Sequence, residues 1–277
     1  MKSNALNNKS NIMKKLFVAM MAVLMLAGFN VGNVKAMNNV ALGNAPAPDS
    51  RAYVLMQSTK AYDAATAEIN KAKNADDVIN AMECLVYDCL GIKAVNREAW
   101  DAIDKMSEEE AAGKYSTEVA AFQKAMVGCQ TAFKSKVATF QMTPQQKQWV
   151  GQVMKRIGLE EEVPSYSVKS FGDYFLAVTD VQNRCSDKVE KANDAEQIIA
   201  AVNELGSTLL ALNNYVMSNA ESIAANGYAD KFEAEGQKYA ASTERLRVTL
   251  NKKGSQTQFT QEQQLRMGKA VQRMAGK

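Results

Sequence analysis

The stretch VAAFQKAMVGCQTAFKSKVATF, residues 119–140, decides the fold class of this chain. Its apolar residues recur at alternating steps of three and four, which places them along one narrow face of a helix. They are Val119, Phe122, Met126, Cys129, Phe133, Val137 and Phe140. An apolar stripe of this width is typical of a helix that packs lengthwise against a partner helix. The stretch therefore predicts a long amphipathic helix inside a helical assembly.

The same spacing extends through the rest of the chain. A helix is expected over residues 50–73, and Asn74 is expected to cap a second helix that Gly91 stops. Later stripes run from Phe171 to Val189 and from Ile198 to Ile223, and a third, from Phe232 to Leu250, is expected to break at residues 253–255. No segment alternates apolar and polar residues as a strand would. These patterns predict an all-α fold, an antiparallel helical bundle with short loops.

An internal duplication is the most informative feature of the sequence. Residues 69–82 resemble residues 189–202 at an offset of 120, and residues 143–156 resemble residues 260–273 at an offset of 117. We interpret this as two tandem repeat units of four to five helices each, at residues 50–158 and 169–277, joined by a linker at 159–168. Chance matching of Ala-rich helices is the alternative, and the sequence leaves open whether the units form one bundle or two domains.

Composition excludes several kinds of chemistry. The 277 residues are 47% apolar and 23% charged, enough for a large core, and they contain no histidine. This absence removes His-based catalytic triads and most zinc, haem and non-haem iron sites. No phosphate-binding loop or serine-hydrolase elbow is present, so we expect no cofactor, no metal site and no catalytic residue. An enzyme that uses carboxylates alone is the remaining catalytic alternative.

The first 36 residues have the pattern of a secretory signal peptide. Lys14 and Lys15 precede the apolar run Leu16–Phe29, which is shorter than the roughly 20 residues that span a bilayer. Cleavage is expected after Ala36, and Phe29 stands where a lipoprotein would carry its acylated cysteine. We therefore expect a periplasmic or secreted protein without a lipid anchor or transmembrane segment. Residues 37–49 are expected to form a flexible lead.

Signal removal changes the charge balance. Residues 1–36 hold five lysines and no acid, so the remaining chain has 28 Lys and Arg against 30 Asp and Glu, a net charge of −2 instead of +3. Overall charge therefore gives no reason to expect a nucleic-acid partner. The basic residues at the C-terminal end form a stripe that predicts a solvated helix face, with weak contact to an anionic surface as the alternative. They are Arg266, Lys269, Arg273 and Lys277.

The four cysteines are Cys84, Cys89, Cys129 and Cys185. Because an exported protein can form disulfides, one inter-helix bridge and a set of buried thiols are equally acceptable interpretations. A bridge between Cys84 and Cys89 is disfavoured, since five residues along a helix separate the side chains too far. The acidic runs 108–110 and 160–162 are expected to be solvated surface or first turns of helices, not cation sites.

Two Thr-x-x-Gln segments open the last helix of each proposed unit. Thr143 with Gln146, and Thr260 with Gln263, have the spacing of a capping box, in which the two residues satisfy each other's backbone N–H groups. The segments also resemble the Leu-Thr-x-x-Gln motif of the Spy/CpxP family of periplasmic chaperones and stress sensors, with Met142 and Phe259 in place of Leu. That resemblance implies a cradle that binds unfolded clients without ATP.

Taken together, these patterns favour an exported, soluble helical-repeat protein that binds a protein or cell-envelope partner and has no catalytic activity. No residue pattern identifies the partner or the binding residues. The chaperone alternative predicts an exposed apolar or methionine-rich surface. Its candidate methionines are Met106, Met126, Met142, Met154, Met217, Met267 and Met274.

Overall fold

The computed structural model describes residues 50–157, 163–227 and 231–274, with side chains described up to Val153 in the first range and up to Gln272 in the last. The expected signal peptide, the cleavage at Ala36, the lead at 37–49 and the acidic run 160–162 lie outside the described residues. Every regular element in the described ranges is a helix, so the all-α prediction is confirmed.

The described residues divide into two compact units, the first ending at Tyr166 and the second beginning at Ser167. In the first unit the helices are α1 (Ser50–Lys71), α2 (Ala75–Val95), α3 (Arg97–Asp104), α4 (Glu108–Ala112), α5 (Ser116–Thr139) and α6 (Pro144–Ile157). In the second they are α7 (Phe171–Lys191), α8 (Ala195–Ser218), α9 (Ala220–Ala225), α10 (Glu233–Gln256) and α11 (Gln261–Met274).

Within residues 50–157, the first unit forms one helix more than the four to five expected, because α3 and α4 both form within the stretch around Trp100. Its packing order is α5, α1, α2, α6, with α1 between α5 and α2. The partner helix predicted for the apolar stripe of α5 is therefore α1. Within that stripe, Cys129 is the residue that is fully buried. The other six residues of the apolar stripe are half-buried.

The α1–α5 pair runs parallel, which differs from the expected antiparallel packing. Arg51 lies 4.6 Å from the Tyr115 ring, the rings of Tyr62 and Phe122 are 5.6 Å apart, and Lys136 Nζ donates to Ala72 O at 3.2 Å. The contact points advance in the same direction along both helices. The reason lies in α2, which packs back along α1 after the short turn at 72–74 and returns the chain to the starting end of α1. Helices α3 and α4 lie at that end, where Glu110 contacts Arg51. Sequence periodicity identifies a helix face but not the direction of its partner.

The second unit has the corresponding order α10, α7, α8, α11. Tyr174 of α7 donates to Asn213 of α8, and Lys188 contacts Glu204, so these consecutive helices are antiparallel. In contrast, α7 and α10 run parallel, because Ser242 donates to Gln182 and, further along, Lys253 Nζ donates to Ala192 O at 2.8 Å. The core centres on α8, where Ile199, Val202 and Leu212 have no exposed surface.

Two glycines expected to end helices lie inside them. Helix α2 passes Gly91 and ends at Val95, and the backbone and side-chain N–H groups of its cap residue Asn96 both donate to Ile92 O. Helix α10 passes Gly254 and ends at Gln256. A glycine within a helix costs about 1 kcal/mol relative to alanine. Burial of Ile92, Ala94 and Val95 beyond Gly91 offsets that cost, so α2 continues.

The predicted stripe from Ile198 to Ile223 is also divided between two helices. Helix α8 ends at Ser218, and Ile223 belongs to the short helix α9. The break lies at Asn219, whose side-chain Nδ2 donates to Tyr215 O at 2.8 Å. An asparagine side chain that bonds to nearby backbone competes with helix continuation, which explains the interruption.

Gly172, in the first turn of α7, allows Phe232 to pack closely. A Cβ atom at residue 172 would lie 2.5 Å from Cδ1 of Phe232, whereas a Cβ at Gly236 meets nothing within 4 Å. We predict that Gly172→Ala lowers the free energy of unfolding by about 1–3 kcal/mol, the usual cost of overpacking. Gly236→Ala, the matched control, is expected to raise it by roughly 0.5–1 kcal/mol through helix propensity.

Urea titration measures both effects, and Phe232→Leu in the Gly172→Ala background is expected to restore part of the loss. Equal effects of the two Gly→Ala substitutions would contradict the assigned contact.

Candidate functional site

Capping boxes begin helices α6 and α11. Thr143 N donates to Gln146 Oε1 at 2.9 Å, and Gln146 N donates to Thr143 Oγ1 at 3.2 Å. Thr260 and Gln263 make the same two hydrogen bonds at the same distances. Both Thr-x-x-Gln segments therefore satisfy backbone donors that the first turn of a helix leaves open.

The same glutamines reach a neighbouring helix. Gln146 Nε2 donates to Asp76 Oδ1 at 2.6 Å, and Gln263 Nε2 donates to Glu196 Oε1 at 2.8 Å. Each acid lies in the first turn of its helix, where the helix dipole favours negative charge. We call the α2–α6 contact the first seam and the α8–α11 contact the second seam. They are the candidate functional site, because they join the two predicted motifs to buried polar groups.

The next contact between the helices differs between the two seams. In the first, Trp149 Nε1 donates to Glu83 Oε1 at 2.8 Å. In the second, Arg266 Nη1 lies 2.7 Å from Glu196 Oε2 and 3.0 Å from Glu196 Oε1. Arg266 is only 5% exposed. A charge buried to this degree needs a partner, and Glu196 provides it.

The expected solvated basic stripe is therefore wrong at Arg266. Its guanidinium points into the second seam towards Glu196, because α11 packs this face against α8. Lys269 is half-buried, and the side chain of Arg273 and all of Lys277 lie outside the described residues. The periodicity of four cations identified one helix face but could not show that the face is covered.

Each seam also encloses an asparagine. Asn80 lies on the face of α2 that carries Asp76 and Glu83, and Asn203 lies two turns beyond Glu196 on α8. Asn80 is 5% exposed and Asn203 is 1% exposed. Among the described residues, Asn80 Oδ1 and both polar atoms of Asn203 have no hydrogen-bond partner. Sequence reasoning missed both, although a polar residue within an apolar helix face is the signal that could have identified them.

All four cysteines are free thiols in this structure. Cys129 and Cys185 are buried, while Cys84 and Cys89 are half-buried. Burial is the main cause that raises the pKa of the Cys89 thiol from 9.0 to about 12, with the charges of Asp88 and Cys129 adding to it. Burial likewise raises the pKa of Cys129 and of Cys185. A thiol with a raised pKa is a poor nucleophile at neutral pH, since the thiolate is the reactive form.

Alkaline pH should therefore weaken the fold. An unfolded Cys89 would lose its proton near pH 9, whereas the folded thiol keeps it until about pH 12. The unfolded state binds fewer protons in that window, so the contribution of Cys89 to the free energy of unfolding is expected to be constant below pH 9 and to fall as pH rises from 9 towards 12. Urea titrations across this range measure the slope. Cys89→Ala should reduce it, and an identical slope in the variant would contradict the prediction.

The acidic run 108–110 forms the first turn of α4, where Ser107 caps the helix and Glu110 contacts Arg51 at 3.3 Å. This placement agrees with an acidic helix start. No cluster of three or more metal-ligating side chains occurs within the described ranges.

Among the residues whose side chains the structure describes, six large apolar side chains are exposed, each on a different long helix. They are Met56, Val127, Leu176, Met217, Val248 and Leu265. Met56 and Leu176 are 120 residues apart, which is the offset of the first sequence match, and each lies on the first helix of its unit. Of the other candidate methionines, Met106, Met126 and Met142 are half-buried and Met267 is buried. The side chains of Met154 and Met274 lie outside the described part of the chain.

Comparison with known proteins adds no relative. No protein-family model, curated protein or solved structure matches this chain. Within the described residues, no helix is both long enough and apolar enough to cross a membrane.

Proposed function

We propose that the chain consists of two tandem repeats of one helical unit. Support comes from hydrogen bonds that recur at the two sequence offsets. Asn74 and Asp194, 120 residues apart, each accept from the backbone N–H three residues ahead. Lys136 donates to Ala72 O, and Lys253, 117 residues later, donates to Ala192 O. The capping boxes and their bonds to Asp76 and Glu196 follow the same offsets.

We propose further that this is an exported binding protein that acts without catalysis. The observation that carries the proposal is the pair Met56 and Leu176, because the same position of each unit exposes a large apolar side chain (36% and 42%). Two copies of one surface on a single chain allow bivalent attachment, which strengthens binding without new kinds of contact. The partner is a protein or a cell-envelope component with two apolar sites.

Site-specific cross-linking tests this proposal. A photoreactive amino acid placed at residue 56 or residue 176 is expected to yield the same cross-linked partner in cells that export the protein. The matched control positions are Gln123 and Ala240, which are exposed and 117 residues apart. They should give much less of that product. Unrelated products from residues 56 and 176, or equal yields from all four positions, would overturn the proposal.

Export itself rests on the first 36 residues, through the lysine pair, the short apolar run and the small residues before Met37. Amino-terminal sequencing of the protein from the periplasm or the medium is expected to begin at Met37. Replacing Leu24 by arginine should retain the uncleaved chain in the cytoplasm, because a charge within the apolar run prevents recognition as a signal. Cleavage of that variant at normal efficiency would contradict the assignment.

A second candidate function is a chaperone of the Spy/CpxP type. The observation that favours it is the set of six exposed apolar side chains spread over six helices, which could contact an unfolded client at several points. The mature protein would then suppress aggregation of an unfolded substrate at stoichiometric ratio and without ATP. Absence of suppression would remove this candidate but would leave the bivalent binding proposal unchanged.

A further inference from the structure

The Asn203 carboxamide lies inside the second seam without a protein partner. Glu196 and Asn203 are seven residues apart and therefore lie on the same face of α8, the face that contacts Gln263 and Arg266 of α11. Asn203 is 1% exposed, and neither its Nδ2 nor its Oδ1 has a hydrogen-bond partner among the described residues. Native proteins pair the great majority of buried side-chain polar atoms, since an unpaired one costs about 1–3 kcal/mol.

Some of the residues near Asn203 are small, although Ile199, one turn before it on α8, is a large buried side chain. Ala200 and Gly206 are one turn away along α8, and Gly206 is itself buried. On α11, which runs parallel to α8, Ala270 lies one turn beyond Arg266 in the direction of Asn203 and is 1% exposed. Small side chains are the feature that would leave room for a molecule of the size of water beside the carboxamide.

The first seam also holds a buried asparagine, at a different position: Asn80 is four residues after Asp76, whereas Asn203 is seven residues after Glu196. Asn80 lies between Asp76 and Glu83 on the face of α2 that contacts Gln146 and Trp149 of α6. It is 5% exposed, and its Oδ1 has no partner in the described part of the chain. Both seams therefore carry an enclosed asparagine beside a satisfied acid.

We propose that each seam binds an internal water molecule, at Asn203 in the second seam and at Asn80 in the first. Asn203 requires a donor for Oδ1 and an acceptor for Nδ2, and a water molecule supplies both. An exposure of 1% excludes a macromolecular partner, because no other chain could reach the carboxamide. The seams are then polar, solvated contacts, and the two outer helices α6 and α11 pack through water as well as through side chains.

Magnetisation transfer from water to side-chain amides tests this in the full mature chain. A bound water should give cross-peaks to the Asn203 Nδ2 protons whose NOE and ROE have opposite signs, as a residence time beyond nanoseconds requires. The matched control is Asn96, a buried asparagine whose Nδ2 donates to Ile92 O at 3.0 Å. Asn96 should give no such cross-peak. For Asn80, a crystal structure that shows ordered solvent should place a water within hydrogen-bond distance of Oδ1.

The two seams give separate outcomes. A cross-peak at Asn203 that is absent at Asn96 supports the second-seam site, and solvent density at Asn80 supports the first. No cross-peak at Asn203, or equal cross-peaks at Asn203 and Asn96, would overturn the second-seam site. A protein group bonded to Asn80 Oδ1 in the crystal would overturn the first-seam site.

Discussion

Replacement of Glu196 by alanine is expected to lower the free energy of unfolding by about 2–4 kcal/mol. The substitution removes the carboxylate that lies 2.7 Å from Arg266 Nη1 and leaves a guanidinium that is 5% exposed without this counter-charge. Breaking a buried ion pair from one side typically costs about 3–5 kcal/mol. The expected value is lower because the Glu196 side chain is itself 49% exposed, so water partly screens the pair.

The first seam provides the matched control. Asp76→Ala removes the equivalent acid, but its partner is the neutral amide of Gln146, so the loss should be near 1 kcal/mol, the value of one ordinary hydrogen bond. Adding Arg266→Met to Glu196→Ala should recover most of the stability, because no charge then remains buried in the seam. Urea titration measures all three variants. Equal losses for Asp76→Ala and Glu196→Ala, or no recovery in the double variant, would show that the pair does not stabilise the second seam.

Leu246→Ala is expected to cost about 2–5 kcal/mol. Leu246 has no exposed surface and lies on α10, which packs along α7. Truncation of a fully buried leucine removes its apolar contacts and leaves a cavity that the surrounding helices fill only in part. The cooperative transition in urea should move to lower concentration with little change in slope.

Val248, on the same helix, is the control for this prediction. It is 50% exposed, so Val248→Ala should change the free energy of unfolding by less than about 0.5 kcal/mol. If the two substitutions had similar effects, the face of α10 that contacts α7 would be assigned wrongly.

The helical class could be predicted from sequence because one physical rule dominates it. Apolar residues at steps of three and four, such as Val119 to Phe140, bury one face only if the segment is helical. Helix ends were less predictable. Gly91 and Gly254 are local signals for termination, but burial of the residues that follow Gly91 outweighs its helix cost. The parallel direction of α1 and α5 follows from α2, which packs back along α1 and returns the chain to its starting end, and local spacing contains no information on that packing.

Only the capping boxes of the candidate site could be predicted from the sequence, and the contacts between its helices could not. Thr143, Gln146, Thr260 and Gln263 form capping boxes because that motif is complete within four residues. The bonds to Asp76 and Glu196 connect residues that are 67 to 70 positions apart, so no local pattern contains them. Arg266 shows the consequence most clearly. Its spacing from Lys269 indicates an exposed stripe, whereas the tertiary contact with Glu196 buries it.

The central claim is that the chain contains two tandem copies of one helical unit. A crystal structure of the mature chain tests this claim most directly. The account predicts that α1 and α2 superimpose on α7 and α8 with a residue offset of 120 while, in the same superposition, α5 and α6 fall on α10 and α11 with an offset of 117. Lys136–Ala72 should then coincide with Lys253–Ala192. Helices that superimpose only at other offsets, or only one pair at a time, would contradict the claim.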